Sequence, residues 1–449
     1  MSIYRQHRAR LLETLAATRT AAVIPTAEPK TRNHDCEYRF RPTSDFWYLA
    51  GFAEPGSVLV LLPEGVASKD EGSESIRTVL FLRERDPLLE TWNGRRLGLE
   101  RAPEALGVDL ALDIEDLWIE LPNLLKGYER VMYRAGEEEA RDRELLEVLR
   151  KCRGKARGGI LPPIELVDAA PLVHEQRLFK SAEELEIMRR AAEITREAHV
   201  GAMALTAPGV NECEIDAFLD YTFRKRGATG QAYTSIVAGG VNACILHYVE
   251  NDQPLNDGEL LLIDAGSEVD YYASDVTRTF PINGTFSPEQ RALYEVVLES
   301  EEAAIDAVKP GLPHNEIHKI ALGVLVRGLL KLGLLEGTEE SVIEDESYRR
   351  FFMHGTSHWL GLDVHDCGAY TIGSEARKLE AGMVFTVEPG LYIAEDDETV
   401  DAKWRGIGVR IEDDVLCTED GHEVLTAAIP KALDEVEAAC QGRALEPAV

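Results

Sequence analysis

Two segments of similar pattern, GELLLIDAG (258–266) and GMVFTVEPG (382–390), decide the fold that the sequence predicts. In both, a glycine is followed by six residues ending in a carboxylate, and a second glycine lies two positions further on. Short apolar runs bounded by glycine are typical of buried strands. Asp264 and Glu388 therefore end matching strands in two separate parts of the chain.

The predicted helices recur as well. Pro208-Gly209 and Pro310-Gly311 lie 102 positions apart, and so do Glu214-Ile215 and Glu316-Ile317 at the start of the following helices. Chance is one explanation, because helix–Pro-Gly–helix patterns are common, but matching spacings in the same order favour an internal duplication. We expect two units of two helices and antiparallel strands, which face each other across one shared sheet.

Three helix starts are marked by the spacing of a capping box, in which a polar residue precedes Glu or Gln by three positions. These are Ser181 with Glu184, Asn211 with Glu214, and Ser287 with Gln290.

A second carboxylate follows the first of these strands. Asp275 lies eleven residues after Asp264, in YYASDVTRTF (271–280), and the segment 266–270 can turn between them. We therefore expect the two strands to pair and to hold both carboxylates side by side. The later half adds His358, Glu388 and Glu412, the first in HGTSHWLGLDVH (354–365) and the last in GVRIEDDV (408–415).

The combination of these residues points to metal binding. A single acid at a strand end is most often solvated, and a single histidine most often lies in a core. Burying several acids at the ends of apolar strands is costly unless cations offset their charge. Four carboxylates and one imidazole suit two divalent cations that share two bridging carboxylates, with Mn, Co, Fe or Zn as candidates. HExxH is absent, which excludes a zincin.

Composition narrows the class of protein. The 449 residues carry a formal charge of −32, with 45% hydrophobic and 29% charged residues, as in a globular protein. So acidic a chain is poorly suited to nucleic acid or anionic membranes. Seven scattered cysteines without CxxC favour reduced thiols, and no secretory or membrane-spanning segment is evident, so we expect a cytoplasmic protein.

Two domains are expected. Apolar runs at 57–63 and 77–83 predict buried strands of an N-terminal α/β domain over residues 1–174. A stretch rich in Gly and Pro at 154–171 precedes the boundary, and residues 175–449 would form the second domain.

The five candidate ligands and the motifs around them resemble the pita-bread metallopeptidases and, within these, the bacterial Xaa-Pro aminopeptidase (aminopeptidase P) family. The resemblance covers nearly the whole chain, and only the stretch between the domains and the tail after residue 430 match poorly. It is carried by LLIDAG, SDVTRTF, MHGTSHWLGLDVHD, TVEPGLY and GIGVRIEDDV, and in the N-terminal part by TSDFWYLAGFAEP (43–55), ETWNGRRLG (90–98) and LVHEQRLFKS (172–181).

The resemblance implies a fold class, α/β (α+β), with an N-terminal α/β domain and a pseudo-twofold pita-bread catalytic domain. It also implies a ligand set. Asp275, Glu412, Glu388 and His358 would hold one metal, and Asp264, Asp275 and Glu412 the other, so that Asp275 and Glu412 bridge. Glu388 would also move protons, and His247 would stabilise the tetrahedral intermediate.

The remaining implied roles concern substrate and assembly. His354 and His365 would line the prolyl side of the cleft, with His365 also counted as catalytic, and Arg410 and Tyr392 would lie close to the site. Trp92 would reach a neighbour's active site in a homo-oligomer, dimer or tetramer, and Arg157 would gate the substrate. The N-terminal domain would thus serve substrate gating and oligomer contacts.

The implied activity is hydrolysis of the bond between an N-terminal residue and a following proline, by a metal-bridging hydroxide. Two divalent ions would serve it, with Mn²⁺ preferred and Co²⁺, Fe²⁺ or Zn²⁺ as alternatives. Prolidase, which cleaves Xaa-Pro dipeptides, and a catalytically inactive pita-bread module that binds peptides are the competing interpretations.

Overall fold

The computed structural model describes residues 2–67, 75–155 and 162–442. It contains two compact units, Met1–Arg177 and Leu178–Val449, whereas the sequence pattern predicts a boundary after residue 174. Among the described residues, no helix combines the length and the apolar character needed to cross a bilayer. None of the seven cysteines, all of which lie in the described ranges, forms a disulfide.

The first unit is built on a six-stranded mixed sheet in the order β6–β5–β4–β1–β7–β8. The predicted strands at 57–63 and 77–83 are confirmed as β4 and β5, and their apolar residues pack against two helices to form the core. The elements are α1 (Ile3–Ala16), β1 (Thr20–Pro25), β2 (Thr31–Asn33), β3 (Cys36–Glu37), α2 (Ser44–Ala50), β4 (Val58–Val66), β5 (Ile76–Leu82), α3 (Pro87–Asn93), α4 (Ala102–Leu106), β6 (Leu110–Asp113), α5 (Leu117–Leu124), β7 (Arg130–Met132), α6 (Glu139–Gly154), β8 (Glu165–Val167) and α7 (Ala170–Leu178).

The second unit has the predicted order of helices and strands, twice over. Its first half contains α8 (Ala182–Leu205), α9 (Glu212–Lys225), β9 (Gly230–Gln231), β10 (Ile236–Gly239), β11 (Leu260–Asp264), β12 (Ser267–Val269), β13 (Tyr272–Ala273) and β14 (Thr277–Pro281). Its second half contains α10 (Pro288–Asp306), α11 (His314–Leu332), α12 (Glu339–Glu344), β15 (Thr371–Ile372), β16 (Glu375–Ala376), β17 (Val384–Val387), β18 (Gly390–Tyr392), β19 (Gly408–Arg410), β20 (Asp413–Cys417), β21 (His422–Val424) and α13 (Leu433–Cys440).

All three predicted capping boxes are confirmed. In each, the side chain of the N-cap residue accepts a backbone N–H of the first turn, and the Glu or Gln three positions on accepts the N-cap N–H. They open α8, α9 and α10. Because these bonds satisfy donors that a helix leaves unpaired, they set where each helix begins.

The hairpin that carries Asp264 and Asp275 is confirmed. β11 pairs with β14 in antiparallel register, with Asp264 opposite Thr277, and the chain turns through β12 and β13. The approach is so close that a Cβ at Gly266 would lie 1.6 Å from the Ser274 carbonyl oxygen, so only glycine fits there. The two carboxylates are therefore held at the same end of the hairpin.

The expectation of one shared sheet is wrong. The strands form several separate sheets, among them β10–β11–β14 from the first half and β17–β20–β21 from the second. At their junction a side chain replaces the backbone ladder, since the Thr279 hydroxyl donates to the Arg410 carbonyl oxygen (2.9 Å) and accepts from its N–H (3.2 Å). One backbone bond, from Glu412 N–H to the Thr277 carbonyl oxygen (3.1 Å), completes the connection.

A buried ion pair also joins the halves. Arg278 on β14 donates to Asp413 Oδ1 at 2.7 Å and to the Glu412 carbonyl oxygen at 2.6 Å. The two side chains are 1% and 0% exposed, and Lys431 Nζ also lies 2.7 Å from Asp413 Oδ2. Removing one partner of such a pair leaves a charge buried without compensation.

We predict that Asp413→Asn lowers the free energy of unfolding by about 3–5 kcal/mol, because the Arg278 guanidinium loses its buried partner. Denaturant titration of the full chain measures the change. The control is Glu423→Gln, whose carboxylate pairs with the exposed Arg189, and which should change stability by less than about 1 kcal/mol. Equal effects of the two substitutions would contradict the assignment of the buried pair as a structural joint.

Candidate active site and metal centre

A cavity of about 600 Å³ opens in the second unit, and the predicted residues line it. Its polar wall consists of acids, histidines and one arginine: Asp264, Asp275, Glu388, Glu412, His247, His354, His358, His365 and Arg410. Its apolar wall includes Ile236, Leu246, Val249, Val364 and Tyr370. The lining of the cavity therefore combines strongly charged side chains with apolar ones.

The four acids come from matching places in the two halves. Asp264 ends β11 and Asp275 precedes β14, while Glu388 follows β17 and Glu412 lies between β19 and β20. Asp275 is 5% and Glu412 is 2% exposed. The duplication thus delivers two acids from each half to one buried cluster.

The ligand atoms of three predicted ligands lie close enough together to bind one metal ion. Asp275, His358 and Glu412 each offer one ligand atom, and these atoms all lie within 4.8 Å of one another. His358 Nε2 is also 3.6 Å from Glu388 Oε1. His358 Nδ1 faces the Trp359 carbonyl oxygen at 3.1 Å, which can only accept, so Nδ1 carries the proton and leaves Nε2 free to bind a cation.

Asp264 is joined to the cluster through a residue that no sequence motif indicated. The Tyr233 hydroxyl lies 2.6 Å from Asp264 Oδ1 and within hydrogen-bond distance of Asp275 Oδ1. A hydroxyl has one proton to donate, so it cannot satisfy both carboxylates at once. The arrangement fits a site in which a cation supplies the missing charge compensation.

Burial raises the pKa of three of the acids. Desolvation raises the pKa of Asp264, raises that of Glu388 to about 7, and raises that of Glu412 well above its usual range. For His358, burial alone would lower the pKa, but the hydrogen bond and charge of Asp275 raise it to about 9. Burial close to other acids raises the pKa of a carboxyl, and a neighbouring carboxylate raises that of an imidazole. Groups perturbed in this way are typical of functional sites.

Arg410 orients the acids through its hydrogen bonds. Its Nη2 donates to Asp264 Oδ2 at 2.7 Å, its Nη1 to the Tyr392 hydroxyl at 3.0 Å, and its Nε to Thr277 Oγ1 at 3.0 Å. Thr277 in turn donates to Glu412 Oε2 at 2.7 Å. One guanidinium therefore orients acids of both halves, directly and through a hydroxyl.

The histidines occupy different places around the cavity. His354 Nε2 lies 2.9 Å from the Tyr392 hydroxyl, and burial lowers the pKa of His354 to about 4, so its ring is neutral at pH 7. The ring of His365 packs edge-on against that of His358 with centroids 4.4 Å apart, and burial lowers its pKa also. His247 is exposed at the rim.

Two further predicted site residues have no described contact with the cavity. Trp92 is on α3 of the first unit and is 84% exposed. Arg157 lies outside the described residues. Their roles stay predictions, as does the role of the first domain.

Comparison with known families agrees with this geometry. Residues 186–419 match the model of metallopeptidase family M24, and residues 4–133 match that of the aminopeptidase P N-terminal domain. The predicted fold, a mixed α/β N-terminal domain followed by a pita-bread catalytic domain, is thereby confirmed.

Individual relatives are similar over nearly the full length. The Xaa-Pro aminopeptidase of Escherichia coli strain K12 is 47% identical over 419 residues, which are 93% of this chain and 93% of that protein. The structure of Pseudomonas aeruginosa aminopeptidase PepP is 49% identical, with a TM-score of 0.93 and coverage of 98% of this chain and 97% of that one.

Zinc-substituted E. coli aminopeptidase P in complex with product is 44% identical, with a TM-score of 0.92 and coverage of 99% of this chain and 100% of that one. The donor set of acids and histidine described above is that of a metal-dependent hydrolase. The chain belongs to metallopeptidase family M24 and, within it, to the aminopeptidase P group.

Proposed function

We propose that the chain is an Xaa-Pro aminopeptidase, which removes the N-terminal residue from peptides that have proline in second position. The observation that carries the proposal is the convergence of Asp264, Asp275, His358, Glu388 and Glu412 in one cavity. The relatives named Xaa-Pro aminopeptidase, matched over nine-tenths of the chain, support it.

Two divalent metal ions fit the donor set. Asp275, Glu412, Glu388 and His358 would hold one, and Asp264, Asp275 and Glu412 the other, with Asp275 and Glu412 shared. Bound ions of this kind supply a hydroxide nucleophile at neutral pH and polarise the substrate carbonyl. Oxygen-rich ligation suits Mn²⁺, our proposed metal, with Co²⁺, Fe²⁺ and Zn²⁺ as alternatives.

Glu388 is the proposed proton carrier. A carboxylate placed beside the nucleophile can accept its proton and release it again, which is what general acid–base catalysis requires. Glu388 lines the cavity beside the other acids, with its Oε2 3.8 Å from His354 Nδ1. It can therefore take the proton of the attacking water and pass it to the departing proline nitrogen.

The cavity walls suit a proline. The bond before proline has no N–H, so the subsite must hold the pyrrolidine ring by contact rather than by accepting a hydrogen bond. A neutral His354, the ring of His365 and the apolar side chains of Val364 and Tyr370 offer such a surface.

His247 is the proposed donor to the carbonyl oxygen. It lines the cavity and is itself exposed. A donor placed where negative charge develops in the transition state accelerates acyl transfer.

Assembly and location are proposed from the family resemblance. We propose a cytoplasmic homo-oligomer, dimer or tetramer, in which Trp92 of one subunit approaches the cleft of another; its exposed indole is available for such a contact. Residues 1–174 would provide these contacts, and Arg157 would gate the substrate.

Prolidase is the competing function within the same fold. The two activities separate by substrate length, since a prolidase cleaves Xaa-Pro dipeptides. An inactive peptide-binding module is disfavoured because all five ligand positions carry ligating side chains that converge in one cavity.

The deciding experiment assays an Xaa-Pro-Xaa tripeptide and the corresponding Xaa-Pro dipeptide with chelated protein, then with stepwise Mn²⁺, Co²⁺ and Zn²⁺. We expect no activity after chelation and metal-dependent release of the first residue from the tripeptide. Cleavage of the dipeptide alone would favour prolidase, and no cleavage of either with any metal would contradict the proposal.

Substituting a shared ligand should remove both metal and activity. We predict that Asp275→Asn and Glu412→Gln each lower kcat/KM by at least about 10²-fold, because an amide cannot replace the charge of a bridging carboxylate. Elemental analysis after dialysis measures the bound metal. Asp420→Asn, in an exposed turn, is the control and should bind metal normally. A fully active, metal-loaded Asp275→Asn protein would show that this residue does not bridge.

Metal binding to the metal-free protein should release protons. Below its pKa of about 7 the Glu388 carboxyl holds a proton, and below about 9 so does His358, so both must lose protons to bind a cation. We therefore predict that metal affinity rises with pH between about 6 and 9. Calorimetric titration in two buffers of different ionisation enthalpy measures the released protons. An affinity that does not change over this range would contradict the charge balance described.

A further inference from the structure

The loop over residues 239–253, here called the His247 loop, brings three side chains to the cavity. It leaves β10 at Gly239, forms a 3-10 turn over Gly240–Cys244, and continues without regular structure towards β11. Leu246, His247 and Val249 of this loop line the cavity. The direction in which His247 points therefore depends on what holds the loop.

A buried carboxylate that does not line the cavity holds the His247 loop in place. Glu212 is the first residue of α9 and is 0% exposed. It accepts four hydrogen bonds, from Gly239 N–H (2.8 Å), Asn242 Nδ2 (3.1 Å), the Tyr248 hydroxyl (2.8 Å) and Gln253 N–H (3.0 Å). All four donors belong to the His247 loop.

These bonds use the whole acceptor capacity of the carboxylate. Oε1 accepts from the start of the loop, at Gly239 and Asn242, and Oε2 accepts from Tyr248 and from Gln253 at its end. An ionised carboxylate has about four acceptor positions, so each is filled here by a neutral donor. Glu212 thus ties the beginning, the middle and the end of one loop to the helix.

The hydrogen bond from Tyr248 to Glu212 is made by the residue that directly follows His247. Tyr248 is 6% exposed and its hydroxyl points to Glu212, while His247 is exposed and faces the cavity rim. Burial and the bond to Glu212 raise the pKa of Tyr248 to about 12, so its hydroxyl stays a donor at any working pH. Anchoring Tyr248 therefore fixes the backbone from which the neighbouring His247 reaches the cavity.

The loop is tied to the sheet as well. The Asn251 side chain accepts from Val237 N–H at 3.0 Å and donates to the Ser235 carbonyl oxygen at 2.8 Å. Gly240 has φ of +55°, and a Cβ there would lie 2.4 Å from Glu259 Oε2. These contacts and the bonds to Glu212 together determine the path of the loop.

We propose that Glu212 and Tyr248 are positioning residues for the peptidase reaction, which hold His247 in place to donate to the substrate carbonyl. This inference rests on the proposed function, since it assigns to Glu212 and Tyr248 an effect that acts only through His247. Neither residue is among those that line the cavity, and neither is a proposed metal ligand.

The test is a double-mutant cycle on the metal-loaded full chain, with Tyr248→Phe, His247→Ala and both together, assayed on an Xaa-Pro-Xaa tripeptide. We expect His247→Ala to lower kcat by about 10²-fold, the range measured for loss of one oxyanion donor. Tyr248→Phe should lower kcat by about tenfold with KM unchanged, since misplacing a reacting group slows the reaction without weakening binding.

The decisive value is the effect of Tyr248→Phe in the His247→Ala background. We expect a change of less than about twofold, because the hydroxyl then has no histidine to position. Bound metal, measured by elemental analysis, should equal that of the unmodified protein. Tyr133→Phe is the matched control: it removes a 2.8 Å bond from a tyrosine hydroxyl to Asp142 in the first unit, and should leave kcat unchanged.

Other results would overturn the inference. A tenfold loss that persists in the His247→Ala background, or loss of bound metal in Tyr248→Phe, would assign Tyr248 a general structural role. Unchanged kcat in Tyr248→Phe, with His247→Ala still impaired, would refute the positioning role alone. Unchanged kcat in His247→Ala would refute both this inference and the proposed role of His247. The metal dependence of tripeptide cleavage would still test the proposed function.

Glu212→Gln provides a second variant and should reproduce the kcat loss of Tyr248→Phe. The reason is that its amide nitrogen donates hydrogen bonds where two donors of the loop need an acceptor.

Discussion

The structure depends on the repulsion among acids buried in one cavity. Asp264, Asp275, Glu388 and Glu412 converge with a single arginine and one charged imidazole to balance them. Burial raises the pKa of three of these acids, because a site removed from water disfavours their charged forms. Burial of like charges is costly unless positive charge enters the site, so the same arrangement that strains the metal-free protein creates affinity for divalent ions.

The duplicated fold brings the four acids together, and the contacts between its two halves must offset the repulsion among them. Each half supplies two acids at strand ends, and the halves meet through side chains rather than through a continuous ladder. Arg278 with Asp413 and Arg410 with Asp264 place two buried guanidinium groups across that junction. Hydroxyls of Thr277 and Thr279 fill the remaining places. The junction is thus polar, and hydrogen bonds and ion pairs between side chains of the two halves hold it together.

Patterns local in sequence predicted much of this. The capping boxes located three helix starts, and the strand frame located Asp264 and Glu388, because caps and alternation act over a few residues. Contacts set by tertiary packing left no such pattern. Tyr233 lies 31 residues before Asp264, and Glu212 lies 36 before Tyr248, so neither contact has a local signature. The single shared sheet was wrong for the same reason, since a threonine hydroxyl at the junction replaces a ladder bond.

Cations held between acids of both halves are central to the proposed site, and their location can be observed directly. The most direct measurement is anomalous diffraction from crystals of the manganese-loaded protein, recorded on both sides of the manganese absorption edge. We expect two anomalous peaks in the second unit, both among the carboxylates of Asp264, Asp275, Glu388 and Glu412. Fully loaded crystals that show no peak among these side chains, or peaks only elsewhere on the chain, would contradict the proposed metal site.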